Sequence, residues 1–138
     1  MSALAAVACI ITDRLGRTLW AVRPEGKTYA GWLDMPGGKV EYGEPPEVAL
    51  RRELREELAI EVGPLLFIGT YGTLSYNSDD WYVTLAFRAT PLRHIPGLKP
   101  ETEQVYWLPP GVVPDTATPP SRYLIENQYS LEGGDQCA

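Results

Sequence analysis

Apolar residues first gather in two runs, "LAAVACIIT" (4–12) and "TLWAVR" (18–23), separated by "DRLGR". Two such runs flanking a glycine predict a β-hairpin, with Gly16 at its turn. The loop composition "PEGKTYAG" follows, then "WLDMPGGKVEYGEPP". The period changes in "EVALRRELREELA", where Leu50, Leu54 and Leu58 recur every fourth residue. At roughly 100° per residue they form one apolar stripe, so this is a helix with a single core face. Pro45 or Pro46 suits its first turn, where a missing N–H costs nothing. Beyond it, "EVGPLLFIGTYGTLSY" and "WYVTLAFRAT" read as strands joined by a polar turn "NSDD", and "TEQVYWL" as one more. The Pro-rich "PPGVVPDTATPP" connects to a last helix, "RYLIENQYSL", which Ser121 is placed to cap. The order predicts one α+β domain over 1–138, with a mixed or antiparallel sheet and two helices.

Composition narrows the function. The chain has 138 residues, 44% of them hydrophobic and 22% charged, which is globular rather than disordered. A net charge of -6 opposes a groove for polymeric nucleic acid, since counterion displacement needs clustered Lys and Arg. A single nucleotide remains compatible if metal ions cancel the charge. Cys9 lies in an apolar run and Cys137 beside the C-terminus, so no disulfide framework is implied. The N-terminal apolar run has no Lys or Arg ahead of it and falls far short of the roughly 20 residues that span a bilayer. The expectation is a cytoplasmic protein without a membrane partner. His94, the only histidine, sits in a loop composition and excludes a His-rich zinc site.

The helix carries a second pattern. Glu53, Glu56 and Glu57 fill a sector apart from the leucine stripe, and Arg52 borders it where it can pair with Glu56. Like charges at these spacings cost about 0.2 to 0.5 kcal/mol per pair, which a merely solvated face does not recover. A divalent cation among the carboxylates reverses the sign. Mg²⁺ suits the set, because it takes few carboxylates, keeps waters and shares its remaining positions with phosphates.

Gly38, five residues, Glu44, seven residues and then "RELREELAI" (52–60) resemble the Nudix box, G-x5-E-x7-R-E-U-x-E-E-x-G-U, where U is bulky and aliphatic. Ala59 is the one departure, standing where the family has glycine at the helix exit. The resemblance implies an α/β/α sandwich with a mixed β-sheet and a catalytic loop-helix-loop. It also implies hydrolysis of a nucleoside diphosphate linked to another group. Glu53, Glu56 and Glu57 would hold Mg²⁺, with Mn²⁺ as substitute, helped by a backbone carbonyl at Gly37 or Gly38. Arg52 would orient Glu53, and Glu44 would tie the loop to the helix. The general base is either Glu53 or Glu103, and Glu103 is otherwise an exposed acid opening a strand.

Substrate contacts are less specified. Arg23 and Lys39 are candidates for the phosphates, and Trp32, Tyr76, Trp81 and Tyr82 for stacking on a base. "WLDMPGGKVEYGE" resembles the MutT-like branch, which implies a nucleoside or deoxynucleoside triphosphate, oxidised ones included, cleaved to monophosphate and pyrophosphate. ADP-ribose, nucleotide sugars and dinucleoside polyphosphates are the alternatives, and a non-catalytic nucleotide sensor is the alternative of another class. The chain is expected to be a monomer or a homodimer.

Overall fold

The computed structural model describes residues 3–75, 79–102 and 104–133. Strand β1 (Ala3–Ile11) is central, paired in parallel with β7 (Trp81–Ala89) and antiparallel with the short β4 (Gly37–Lys39). Strand β6 (Leu66–Leu74) adds antiparallel to β7, giving the order β4-β1-β7-β6. Strands β2 (Thr18–Val22), β3 (Leu33–Asp34) and β9 (Val105–Leu108) form a second sheet, and β5 (Ile60–Val62) pairs with β8 (Pro91–His94). The mixed sheet and two helices make the expected α+β sandwich.

The first strand is apolar on both sides because both sides are covered. Val7, Cys9 and Ile11 join Leu50, Leu54, Leu58 and Phe87 in the core under helix α1 (Pro46–Leu58). Ala8 and Ile10 face the other way, into a core with Trp20, Ile68, Leu124 and Ile125 under helix α2 (Pro119–Gly133). Among the described residues, no helix is long and apolar enough to cross a membrane.

Three expectations are corrected. The first two apolar runs are not a hairpin ladder: Thr12 and Thr18 form a single bridge around the Gly16 turn, after which the strands diverge into separate sheets. Burial of β1 on both faces favours long-range partners over its neighbour in sequence. His94 ends a strand rather than lying in a loop, pairing with Ile60. Ser121 lies inside α2 and does not cap it, because its hydroxyl is engaged with Asp34 and with the Met35 N–H.

Candidate functional site

Helix α1 turns its leucines inward, and this aims Glu53 and Glu57 at β4 and the β2–β3 loop. It begins with Pro46 in the first turn and ends at Ala59 in the left-handed region, φ 53°, whose N–H bonds the Arg55 carbonyl. Arg51 leaves the acidic side and holds the Val62 and Gly63 carbonyls at 3.1 and 3.2 Å.

Arg52 organises the box. Its Nε and Nη2 donate to the two oxygens of Glu44 at 2.8 and 3.0 Å, and Nη2 also reaches the Lys39 carbonyl at 3.0 Å. Nη1 donates to Glu53 at 2.9 Å and to Glu56 at 3.3 Å. Glu44 accepts in addition the Glu41 N–H at 3.0 Å. These bonds, those from Arg52 first, hold the Glu44 carboxyl below its usual range. The same partners, Glu44 first, raise Arg52 further above its already high value. One guanidinium thus clamps loop, strand and helix together.

Glu53 and Glu57 line one pocket. Burial raises Glu53, and the Arg52 bond and charge oppose that rise. Glu57 is pushed well above the carboxylate range by desolvation first, then by the charges of Glu53 and Asp34, although the Gly37 N–H bonds it. Each carboxyl opposes ionisation of the other, as neighbouring acids do. Glycine is required beside them. A Cβ on Gly38 would lie 2.4 Å from the Glu53 carboxyl carbon, and one on Gly37 would lie 2.1 Å from the Val7 carbonyl oxygen. Glu56 is exposed and turned toward Arg52. Among the described residues, no three acid, His or Cys side chains close into a cage around one point.

A pocket of about 200 Å³ opens over the pair, lined also by Arg23, Lys27, Asp34 and Glu101. Glu101 was not singled out from sequence. It arrives because the loop after β8 caps α1, with the Glu101 and Thr102 N–H groups bonding the Glu56 and Glu57 carbonyls at 3.0 and 2.9 Å. Glu103, two residues on, lies outside the described residues, as does Tyr76. Lys27 carried no pattern to mark it either.

Joined to this pocket is a cleft of about 500 Å³ between the four-stranded sheet, the β2–β3 loop and the start of α2. Arg23, Lys27 and Asp34 line both cavities. Lys39 and Tyr82 line the cleft, with the Lys39 ammonium 5.9 Å from the Tyr82 ring centre. Trp81 is not in the cleft wall: neighbours along a strand face opposite ways, and a Cβ on Gly72 would lie 2.3 Å from the Trp81 indole. Its strand parity with Tyr82 carried that information. Trp32 packs on Tyr29 in the β2–β3 loop, ring centres 4.7 Å apart, also away from the cleft wall.

The NUDIX domain family matches residues 3–128. An 8-oxo-dGTP diphosphatase of Proteus vulgaris is 36% identical over 78 residues, which are 56% of this chain and 67% of that one. One of Haemophilus influenzae is 49% identical over 51 residues, 37% of this chain and 38% of that one. The matched segment thus spans well under half of the second relative. A MutT NUDIX hydrolase of Burkholderia pseudomallei superposes with a TM-score of 0.76 at 25% identity, over 90% of this chain and 96% of that one. The chain belongs to the NUDIX domain family, among its MutT-like hydrolases.

Proposed function

We propose that this chain hydrolyses the pyrophosphate linkage of a nucleoside or deoxynucleoside triphosphate, releasing monophosphate and pyrophosphate, with Mg²⁺ held at the acidic pocket. The observation that carries the reading is that Glu53 and Glu57, two partly buried carboxylates, line one pocket together with Arg23 and Lys27. The donor set fits Mg²⁺, which binds through one or two carboxylates and keeps its other positions for water and phosphate, so a closed protein cage is not needed. Glu53 and Glu57 would hold it, with Glu56 and a Gly37 or Gly38 carbonyl adding to the set, and Glu101 lines the same pocket. When bound, the ion neutralises phosphate charge and lowers the pKa of water.

The chain's own residues do the rest. Arg52 fixes the Glu53 carboxylate, and Glu44 fixes Arg52. Glu53 is the base within the box, and Glu103 is the competing assignment. Arg23, Lys27 and Lys39, which line the cleft, would meet the phosphates, and Tyr82 would stack on the base. The Proteus and Haemophilus names support a purine triphosphate, oxidised ones included. The test is Mg²⁺-dependent release of pyrophosphate or phosphate across triphosphates, ADP-ribose, nucleotide sugars and dinucleoside polyphosphates. Turnover of a triphosphate that stops in excess EDTA is expected. Tight nucleotide binding without turnover would replace this reading with that of a sensor.

A further inference from the structure

We propose that β6 is the joint of a symmetric dimer, in which it pairs edge to edge with the β6 of a second copy and the four-stranded sheet becomes one of eight. β6 is the outer strand in the order β4-β1-β7-β6. Its nine residues, "LFIGTYGTL", include no charged side chain and no proline. A strand edge of that length normally carries one or the other, because its outward N–H and C=O groups pair readily with another strand. The one irregularity, at Ile68, lies near its start and leaves the ladder from Gly69 to Leu74 regular.

The backbone fixes the register. The Ser75 N–H bonds the Asp80 carbonyl at 2.9 Å, next to the Leu74–Trp81 pair. Hydrogen-bonded pairs alternate along an antiparallel ladder, so Tyr71 and Thr73 turn their backbone groups toward β7 while Thr70, Gly72 and Leu74 turn theirs outward. Among the described residues, none of these six outward groups has a partner. A second copy brought up antiparallel about a two-fold axis at Gly72 sets Gly72 opposite itself and Thr70 opposite Leu74, and all six groups of each copy are then bonded. Moving the axis to Tyr71 would set Leu74 against the irregular Ile68 instead.

The side chains agree with that axis. Phe87 and Ala89 lie in the core under α1, and Trp81 and Val83 continue the same face of β7 into solvent. Leu74 stands opposite Trp81, and Gly72 opposite Val83. Leu74 is 60% exposed and Trp81 46%. The indole lies on the bare backbone of Gly72, where a Cβ would come within 2.3 Å of it. A two-fold at Gly72 thus brings two exposed indoles and two leucines together. The occupant is a second copy because the strand is its own complement. Its outward groups are spaced evenly about Gly72, and an uncharged strand lets two chains of net charge -6 meet without opposing like charges there. The pairing and the indole cluster cover roughly 1,000 Å² in all, at the low end for a specific complex, so dissociation in the micromolar range is expected.

The experiment is sedimentation equilibrium of the full chain between about 1 and 200 μM, which brackets that dissociation, with amide hydrogen exchange read by mass spectrometry at both ends. Wild type should pass from monomer to dimer, and the three outward amides within 66–74 should exchange about tenfold or more slower at the upper end than at the lower. Leu74→Lys puts a charge at the joint, and Thr70→Pro removes an outward N–H that β7 does not use. Each variant should stay folded and remain a monomer at the upper concentration, with fast exchange. Wild type that is monomeric throughout overturns the proposal. So does a dimer that persists in either folded variant, or one in which exchange across 66–74 does not change with concentration. If neither variant folds, sedimentation and exchange of the wild type decide alone.

Discussion

Arg52 grips Glu44 at two points, Nε to Oε2 at 2.8 Å and Nη2 to Oε1 at 3.0 Å, while its third nitrogen holds Glu53 at 2.9 Å. A planar fork can satisfy these partners at once, and a lysine ammonium on a flexible stem cannot. Arg52→Lys is expected to lower kcat by roughly tenfold to a hundredfold with a small change in KM, as befits loss of a positioning contact rather than of a substrate contact. Steady-state kinetics decide it. A variant whose loss lies wholly in KM would move Arg52 into substrate binding.

Adjacent glycines should fail differently. In Gly38→Ala the new methyl meets the end of a flexible side chain, the Glu53 carboxylate. The fold should survive, with activity down at least about a hundredfold because a catalytic group held an ångström off position is that costly. In Gly37→Ala the methyl meets the Val7 carbonyl within the sheet, and the backbone must give way. That variant should lose stability as well as activity. Melting curves of the two, side by side with turnover, test the contrast.

Ala59 occupies a left-handed position that favours glycine, yet it is 3% exposed. The backbone cost is about 1 to 2 kcal/mol. A buried methyl returns about 0.8 kcal/mol, and glycine would lose about 0.4 to 1 kcal/mol through its freer unfolded chain. Ala59→Gly is therefore expected to shift stability by less than about 1 kcal/mol and to leave turnover alone. Denaturant titration checks this. A gain above about 1 kcal/mol would mean that the methyl contributes little.

The raised Glu53 and Glu57 give the metal-free protein a definite pH dependence. Below 4.5, the ordinary value, folded and unfolded states both hold their protons and the pair costs nothing. As pH rises above that value the unfolded chain releases protons that the folded one keeps, so stability falls until the folded pair ionises. Glu44 acts oppositely, contributing stability above its ordinary value and losing it as pH falls through its lowered one. Melts in EDTA between about pH 5 and 8 should show a decline with pH, and Mg²⁺ should flatten it while releasing protons into a weak buffer. A metal-free melting point that rises steadily over this range contradicts the arrangement.

Much of this was legible in the chain, for reasons that differ by element. Helix α1 and its acidic face follow from the spacing of Leu50, Leu54 and Leu58 against Glu53 and Glu57, a local pattern. The first two strands were legible as strands but not as to partner, because a doubly buried run looks the same whether it pairs with its neighbour or with β7. Strands of two to four residues such as β3, β4 and β5 are held by long-range pairing and carry no period of their own. Glu101 reaches the pocket through backbone bonds to the end of α1, and Asp34 is held at the cleft by the hydroxyls of Thr118, just ahead of α2, and of Ser121 within it. Neither relation leaves a mark in local sequence.

The central claim is that Glu53 and Glu57 sit together to hold a divalent ion, and Glu57→Gln tests it most directly. Thermal melts of wild type and variant, each with and without Mg²⁺, are compared with turnover on the best triphosphate. Glu57 lies shielded beside Glu53 and Asp34, so its removal relieves like-charge repulsion. The metal-free variant should match or exceed wild type in stability. Its Mg²⁺-dependent melting shift, which grows as RT ln(1 + [L]/Kd), should shrink, and turnover should fall by orders of magnitude. A variant that is less stable without metal, yet keeps both the full Mg²⁺ shift and full turnover, would mean that Glu57 serves the fold and that the account of the site is wrong.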